Sequence, residues 1–168
     1  MTSSGCMQDW YEDAWLDYIF KKSPILLAGG TMTEDGPASC KLVLFTDTLA
    51  NVVAAHTSTM PAIDGVGSKE PTSAQYPGYA RLSVTRNGTE WSVTGTAPTI
   101  ATKATNDAVF ATSGAGSGCT ILTCGLAMAR KDATGDVLLY AWDLLNDITV
   151  SNGIAPRINA GALVHEQA

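Results

Sequence analysis

From about residue 25 onward, apolar residues recur at every second position in short runs cut by Gly, Asn, Asp and Pro. A period of two puts alternate side chains on opposite faces of an extended chain, so it calls for strands rather than a helical bundle. Lys41 to Thr46 (KLVLFT) is apolar on both parities and predicts a strand buried on both faces. Tyr79 to Arg86 (YARLSVTR) alternates, with Ala80, Leu82 and Val84 on the core face and Tyr79, Arg81, Ser83 and Thr85 on the other. Asn87-Gly88 then predicts a two-residue hairpin turn, because both turn positions of that type need φ > 0, and Glu90 to Thr94 is the returning strand.

Further strands are expected at Ile25 to Ala28, Thr99 to Thr102, Ala108 to Thr112, Thr120 to Ala129, Asp136 to Trp142, Asp147 to Ser151 and Ala162 to His165. Ser113 to Gly118 (SGAGSG) reads as a flexible turn, and Lys131 to Gly135 as a polar one. Many short strands at near-regular spacing predict a mainly β fold, an antiparallel β-sandwich or jelly-roll-like domain over residues 24–168. A long irregular loop at 48–77, rich in Pro, Gly, Ser and Thr, interrupts it. A connection of that length serves as a surface or partner-contacting element.

The N-terminal residues 1–23 read differently. Met7, Trp10, Tyr11, Ala14, Trp15, Tyr18 and Ile19 fall at steps of three and four, which predicts one amphipathic helix that Ser23-Pro24 stops. Acids near its start and Lys21-Lys22 at its end complement the helix dipole. Its aromatic stripe either packs on the chain's own sheet or docks on a partner. Trp10, Tyr11, Trp15, Tyr18 and Phe20 are the candidate partner-binding residues, since large aromatic side chains anchor interfaces.

Charge narrows the function. Sixteen acids against ten scattered bases give a net charge of −6, which argues against nucleic-acid binding. Only 15% of residues are charged, against about 25% in ordinary domains, which suits proteins that pack side by side. The first residues lack the basic and apolar regions of a secretion signal, and no run reaches the ~20 apolar residues of a membrane span. The expectation is a protein made in a cytoplasm, with Cys6, Cys40, Cys119 and Cys124 as thiols.

Catalytic and metal-binding patterns are weak. His56 and His165 sit in no metal-ligand spacing and read as surface residues. Gly116-Ser117-Gly118 lacks the spacing of a nucleophile elbow. Glu12-Asp13 and Glu34-Asp35 read as solvated acids, and Asp132 with Asp136 falls short of the acid pattern of a calcium loop. Neither an enzyme, a metal site nor a cofactor is expected.

Lys41 to Asp47 (KLVLFTD), Gly78 to Thr85 (GYARLSVT), Gly125 to Leu144 (GLAMARKDATGDVLLYAWDL), Ile148 to Gly153 (ITVSNG) and Gly161 to Val164 (GALV) come in a set order. In that order the chain resembles a widespread family of small phage structural proteins, labelled phage tail fibre proteins. Its members carry YLALFT, GYARQAVT and a GLFDAATGGNLLFYGAL-type ending. The resemblance implies a virion protein without catalytic role, a β-sandwich that works as an oligomer. Its partners would be copies of itself and other virion proteins of the capsid, neck or tail, with neither nucleic acid nor membrane involved. Three placements follow: an accessory protein on the particle surface (head decoration or head-fibre base), a tail or neck fibre component, or, in a different class, a carbohydrate-binding module.

Overall fold

The computed structural model describes residues 17–22, 25–27, 30–32, 37–56, 59–94, 99–103, 105–129 and 135–167. Most of the expected N-terminal helix, Trp10, Tyr11 and Trp15 included, lies outside these residues, as do most of the Lys131 to Gly135 turn and the Ser23-Pro24 stop. The chain is mainly β, with antiparallel sheets. It forms two compact units, each assembled from separated stretches. The first takes its described residues from Met1–Ala38, Thr85–Asp107 and Asn159–Ala168, and the second comprises Ser39–Val84 and Ala108–Ile158.

The second unit is built on β3 (Ser39–Phe45) and β8 (Cys119–Ala129), two long apolar strands, which pair antiparallel from Lys41↔Ala127 to Phe45↔Thr123. Leu42, Val43, Leu44 and Phe45 are all fully buried, so β3 has protein on both faces, as its apolar run predicts. β4 (Leu82–Thr85) and β9 (Asp136–Val150) flank them in the order β4-β3-β8-β9. On one face Val43, Phe45 and Ala127 form a core with Val52 and Met60, against which Leu138 and Ala141 pack. Val52 comes from α1 (Leu49–Ala55), a short helix inside the stretch expected to be irregular. Its N-terminus lacks a side-chain cap from Thr48, but Asp143 on β9 accepts from the Leu49 N–H at 3.3 Å.

Two irregularities shape β9. Leu139 is an extra residue between the pairs Ala127↔Leu138 and Leu126↔Tyr140. Further on, Ile121↔Ile148 follows Thr123↔Asp143, so Leu144 to Asp147 loop out opposite Leu122 alone. The two strands expected at 136–142 and 147–151 are thus one strand with an outward excursion. A small pairing of β7 (Ala108–Val109) with β10 (Arg157–Ile158) completes the unit. Ser113 to Gly118 is tied down rather than loose: the Gly114, Ser117 and Gly118 N–H groups donate to the carbonyls of Pro77, Ala74 and Gln75.

The first unit holds a three-stranded sheet, β11 (Val164–Gln167), β6 (Thr99–Lys103) and β5 (Trp91–Thr94), in that order, and a two-stranded pair of β1 (Ile25–Leu27) with β2 (Gly30–Met32). Asp17–Lys21 is a π-helical turn whose Phe20 is buried against Trp91, ring centroids 4.7 Å apart.

The expected hairpin across Asn87-Gly88 does not form. β4 pairs with β3, whereas β5 pairs with β6. Neither Asn87 nor Gly88 has positive φ. Instead the Asn87 side chain accepts from the Thr89 and Glu90 N–H groups, both at 2.9 Å, and its carbonyl accepts from Trp91. Asn87 thus caps a helical turn, the other structure an Asn in this position favours.

Gly125, facing Ala141 across the β8–β9 pair, sits in close-packed core. A Cβ there would lie 2.7 Å from both Leu138 Cδ1 and Phe45 Cε2. Gly125→Ala is therefore expected to overpack the core and destabilise the protein by about 1–3 kcal/mol, read from chemical denaturation curves.

Candidate functional site

The chain around Gly78 leaves a turn with φ +90 at Gly78 and enters β4 only at Leu82, so Tyr79 and Arg81 precede the strand. Their side chains turn inward. Tyr79 is buried and Ala80 is exposed, the reverse of the facing expected from alternation. Beyond the end of β4, the Tyr79 hydroxyl takes the place of a strand partner for β3. It accepts from the Leu44 N–H at 3.0 Å and donates to Glu70 Oε2 at 2.9 Å.

Arg81 is the centre of the cluster. Its Nε lies 3.1 Å from both Glu70 oxygens, and its Nη2 donates to Glu70 Oε1 and to the Pro61 carbonyl, both at 2.5 Å. Its Nη1 donates to Asp136 Oδ2 at 2.6 Å. Lys41 Nζ completes the set at 2.8 and 3.0 Å from the two Asp136 oxygens. The Glu70 side chain is 0% exposed, Asp136 5% and Arg81 13%, whereas Lys41 reaches solvent. Four segments meet here: β3 through Lys41, the long loop through Pro61 and Glu70, the strand entry through Tyr79 and Arg81, and the start of β9 through Asp136. The Met60 N–H also donates to the Asp136 carbonyl at 2.7 Å, and Thr59 bridges Val137.

Two cations balance two carboxylates, which is what allows such groups into a dry site. Burial works against the charge on Arg81, but hydrogen bonds and attraction from Glu70, then Asp136, outweigh it and raise its pKa above the ordinary arginine value. Burial would also raise the Asp136 pKa, but the bonds from Lys41 and Arg81 outweigh it and hold this carboxyl below its usual range. Burial, then the Glu70 carboxylate, raises the Tyr79 pKa, so its hydroxyl keeps its proton. Each acid is already matched to donors, and what this arrangement does chemically is clamp the loop to the sheet.

The residues singled out from sequence fare unevenly. Trp10, Tyr11 and Trp15 are outside the described residues. Tyr18 is half-buried, and Phe20 is a core residue under Trp91 rather than spare apolar surface. His56 is buried, not on the surface. Its ring lies tilted against Phe45, centroids 5.3 Å apart, with Nδ1 2.8 Å from the Val52 carbonyl of α1. The Asp136 carboxylate, weighed as a calcium ligand, faces two cations instead.

Sequence reasoning missed Arg86 and Lys103, both buried in the first unit. Arg86 donates to the carbonyls of Tyr18 (2.8 Å), Ile19 (2.6 Å) and Pro37 (3.0 Å), and so holds the π-helical turn. Lys103 Nζ is held by Glu90 Oε2 at 3.0 Å and by the Thr105 and Asn106 carbonyls at 2.7 and 2.9 Å. The available signal was cations within strand-like apolar runs of a charge-poor chain. No family model matches the sequence, and no curated protein matches it.

Replacing Arg81 with Met removes the common partner of two buried carboxylates, so Arg81→Met is expected to destabilise by about 3–5 kcal/mol in urea denaturation at neutral pH. Acid should act through the same group. A folded-state pKa below the unfolded one means that the unfolded chain takes up the proton more readily. Stability from this contact is then complete above the unfolded aspartate value of about 4 and is lost as pH falls below it. Urea midpoints are expected to fall as pH drops below about 4, and Asp136→Asn, weaker at pH 7, should show a flatter fall.

Proposed function

We propose that the chain is a structural protein of a tailed-phage particle, without catalytic activity. It is an accessory on the particle surface, a head decoration protein or the base of a head fibre, and it acts through protein–protein contacts. The observation that carries this reading is the use made of the Gly-Tyr-Ala-Arg motif. Tyr79 and Arg81, the residues of that motif with chemistry to offer, are turned inward and brace a long surface loop. Such bracing suits a protein whose loops must hold a fixed shape against a neighbour. The mainly antiparallel β architecture, with a central strand buried on both faces, is compatible with the sandwich or jelly-roll arrangement that the family resemblance implies.

A tail or neck fibre component is the second placement, favoured by the label that the family resemblance carries. Copy number separates the two. In purified virions of the phage that encodes the chain, quantitative mass spectrometry is expected to find copies on the order of hundreds, the multiplicity of a symmetric shell. About a dozen or fewer, the multiplicity of a neck or tail ring, would move the protein there, and absence from the particle would end the virion reading.

A further inference from the structure

Two apolar side chains of the second unit stand almost wholly in solvent: Val66 at 102% and Leu145 at 98% relative exposure. The backbone under Val66 is held in place. Val66 is the second residue of a turn closed by the Ser68 N–H donating to the Gly65 carbonyl at 3.0 Å. Gly67, the third, has φ +82, which that turn type requires. A Cβ on Gly65 would lie 2.8 Å from the Ala62 carbonyl oxygen, so this turn needs both glycines to present Val66. The base of the loop is fixed by the Thr46 N–H on the Lys69 carbonyl (2.9 Å), the Ser73 N–H on Asp64 Oδ1 (2.7 Å) and Arg81 on the Pro61 carbonyl (2.5 Å). Leu145 tops the excursion of β9 between Asp143 and Asp147.

A chain of contacts ties the bases of the two tips together. Lys69 pairs with Asp47 at 2.8 Å, and the Asp47 carbonyl accepts from Thr123 Oγ1 at 2.8 Å. Thr123 is the strand partner of Asp143. Val66 is close in sequence to Lys69 and Leu145 to Asp143, so both tips hang from this chain. Charge indicates what they meet. Lys41, Lys69 and Arg81 are ion-paired within the unit, whereas Asp64, Asp143 and Asp147 are exposed beside the tips. Two such ends facing each other across a two-fold axis would oppose acid to acid, which argues against a second copy as the occupant.

We infer that the Val66 turn and the Leu145 excursion form one docking end, which seats on a different protein presenting apolar pockets rimmed by Lys or Arg. The inference rests on the virion reading and names the surface through which that contact is made.

The test uses the full chain and particles of the encoding phage prepared without it, with bound protein measured against free concentration. Wild type is expected to bind saturably and more weakly as salt rises. Val66→Asp and Leu145→Asp should each lose about 30-fold or more in affinity, the scale of an interface hot spot, and Asp147→Lys should lose affinity with a reduced salt dependence. Unchanged melting curves would show that the variants are folded. If wild type binds and either aspartate variant binds equally well, the docking assignment is overturned while the virion reading stands. If wild type does not bind and is absent from natural particles, the virion reading itself has failed. Loss of self-association in these variants, with particle binding intact, would identify a second copy as the occupant and overturn the assignment of partner.

Discussion

A guanidinium held between two buried carboxylates is the constraint on which the second unit depends. Arg81 satisfies Glu70 in a forked contact, reaches Asp136 with another nitrogen and still has a donor for the Pro61 carbonyl. A planar group with several fixed donors can fork onto one carboxylate and still reach a second carboxylate and a carbonyl, so lysine would be a poor substitute. Buried ion pairs add little net stability over an apolar core of the same volume, because desolvation offsets most of the attraction. What they add is a penalty on every arrangement that separates them. Any alternative path of the loop from Thr59 to Pro77 would leave a carboxylate or the guanidinium buried without its partner. The cluster is therefore best understood as fixing which loop conformation is native.

The first unit uses the same device with carbonyl groups in place of carboxylates. Arg86 gathers three backbone oxygens from two separate segments, and Lys103 gathers two oxygens and a carboxylate. These contacts give a different meaning to the low charge of the chain. Charge scarcity suggested a surface made for side-by-side packing. In the fold, two of the scarce bases, Arg86 and Lys103, are buried and Arg81 is largely so, holding irregular backbone in place where regular strand pairing stops. Short strands and long connections leave many backbone carbonyls without ladder partners, and a buried cation satisfies several of them together.

Reading the sequence located the elements whose burial is decided locally. β3 was legible because it is apolar on both parities, and β8 because Leu122, Cys124, Leu126 and Met128 alternate along one face. The misreadings share one cause, a choice settled by residues far away in sequence. Asn87-Gly88 suits both a hairpin turn and a side-chain cap, and the choice falls to the cap because β4 finds its partner in β3, far upstream. Alternation gives the right faces from Leu82 to Thr85 and the wrong ones at Tyr79 and Ala80. Which groups turn inward before Leu82 depends on Glu70 and Asp136, which no local pattern reveals. Helix α1 escaped notice because it is seven residues long and lacks its own cap, and it relies on Val52 in the core and on Asp143 at its first turn. His56 followed α1 into the interior.

Tyr79 and Arg81 are held by contacts inside the protein, so their identity follows from the fold and would be required whatever the outer surface touches. Val66 and Leu145 are held by no packing within the unit, and nothing in the fold demands an apolar side chain at either place. Leaving them in water forgoes the stabilisation that burial would bring, and a single exposed apolar residue is ordinary. Val66 stands on backbone fixed by glycine geometry and by the Arg81 anchor at Pro61, and Leu145 on an excursion whose base at Asp143 is paired with Thr123. The residues of the Gly-Tyr-Ala-Arg motif therefore account for where the loop stands, whereas the fold gives Val66 and Leu145 no internal task.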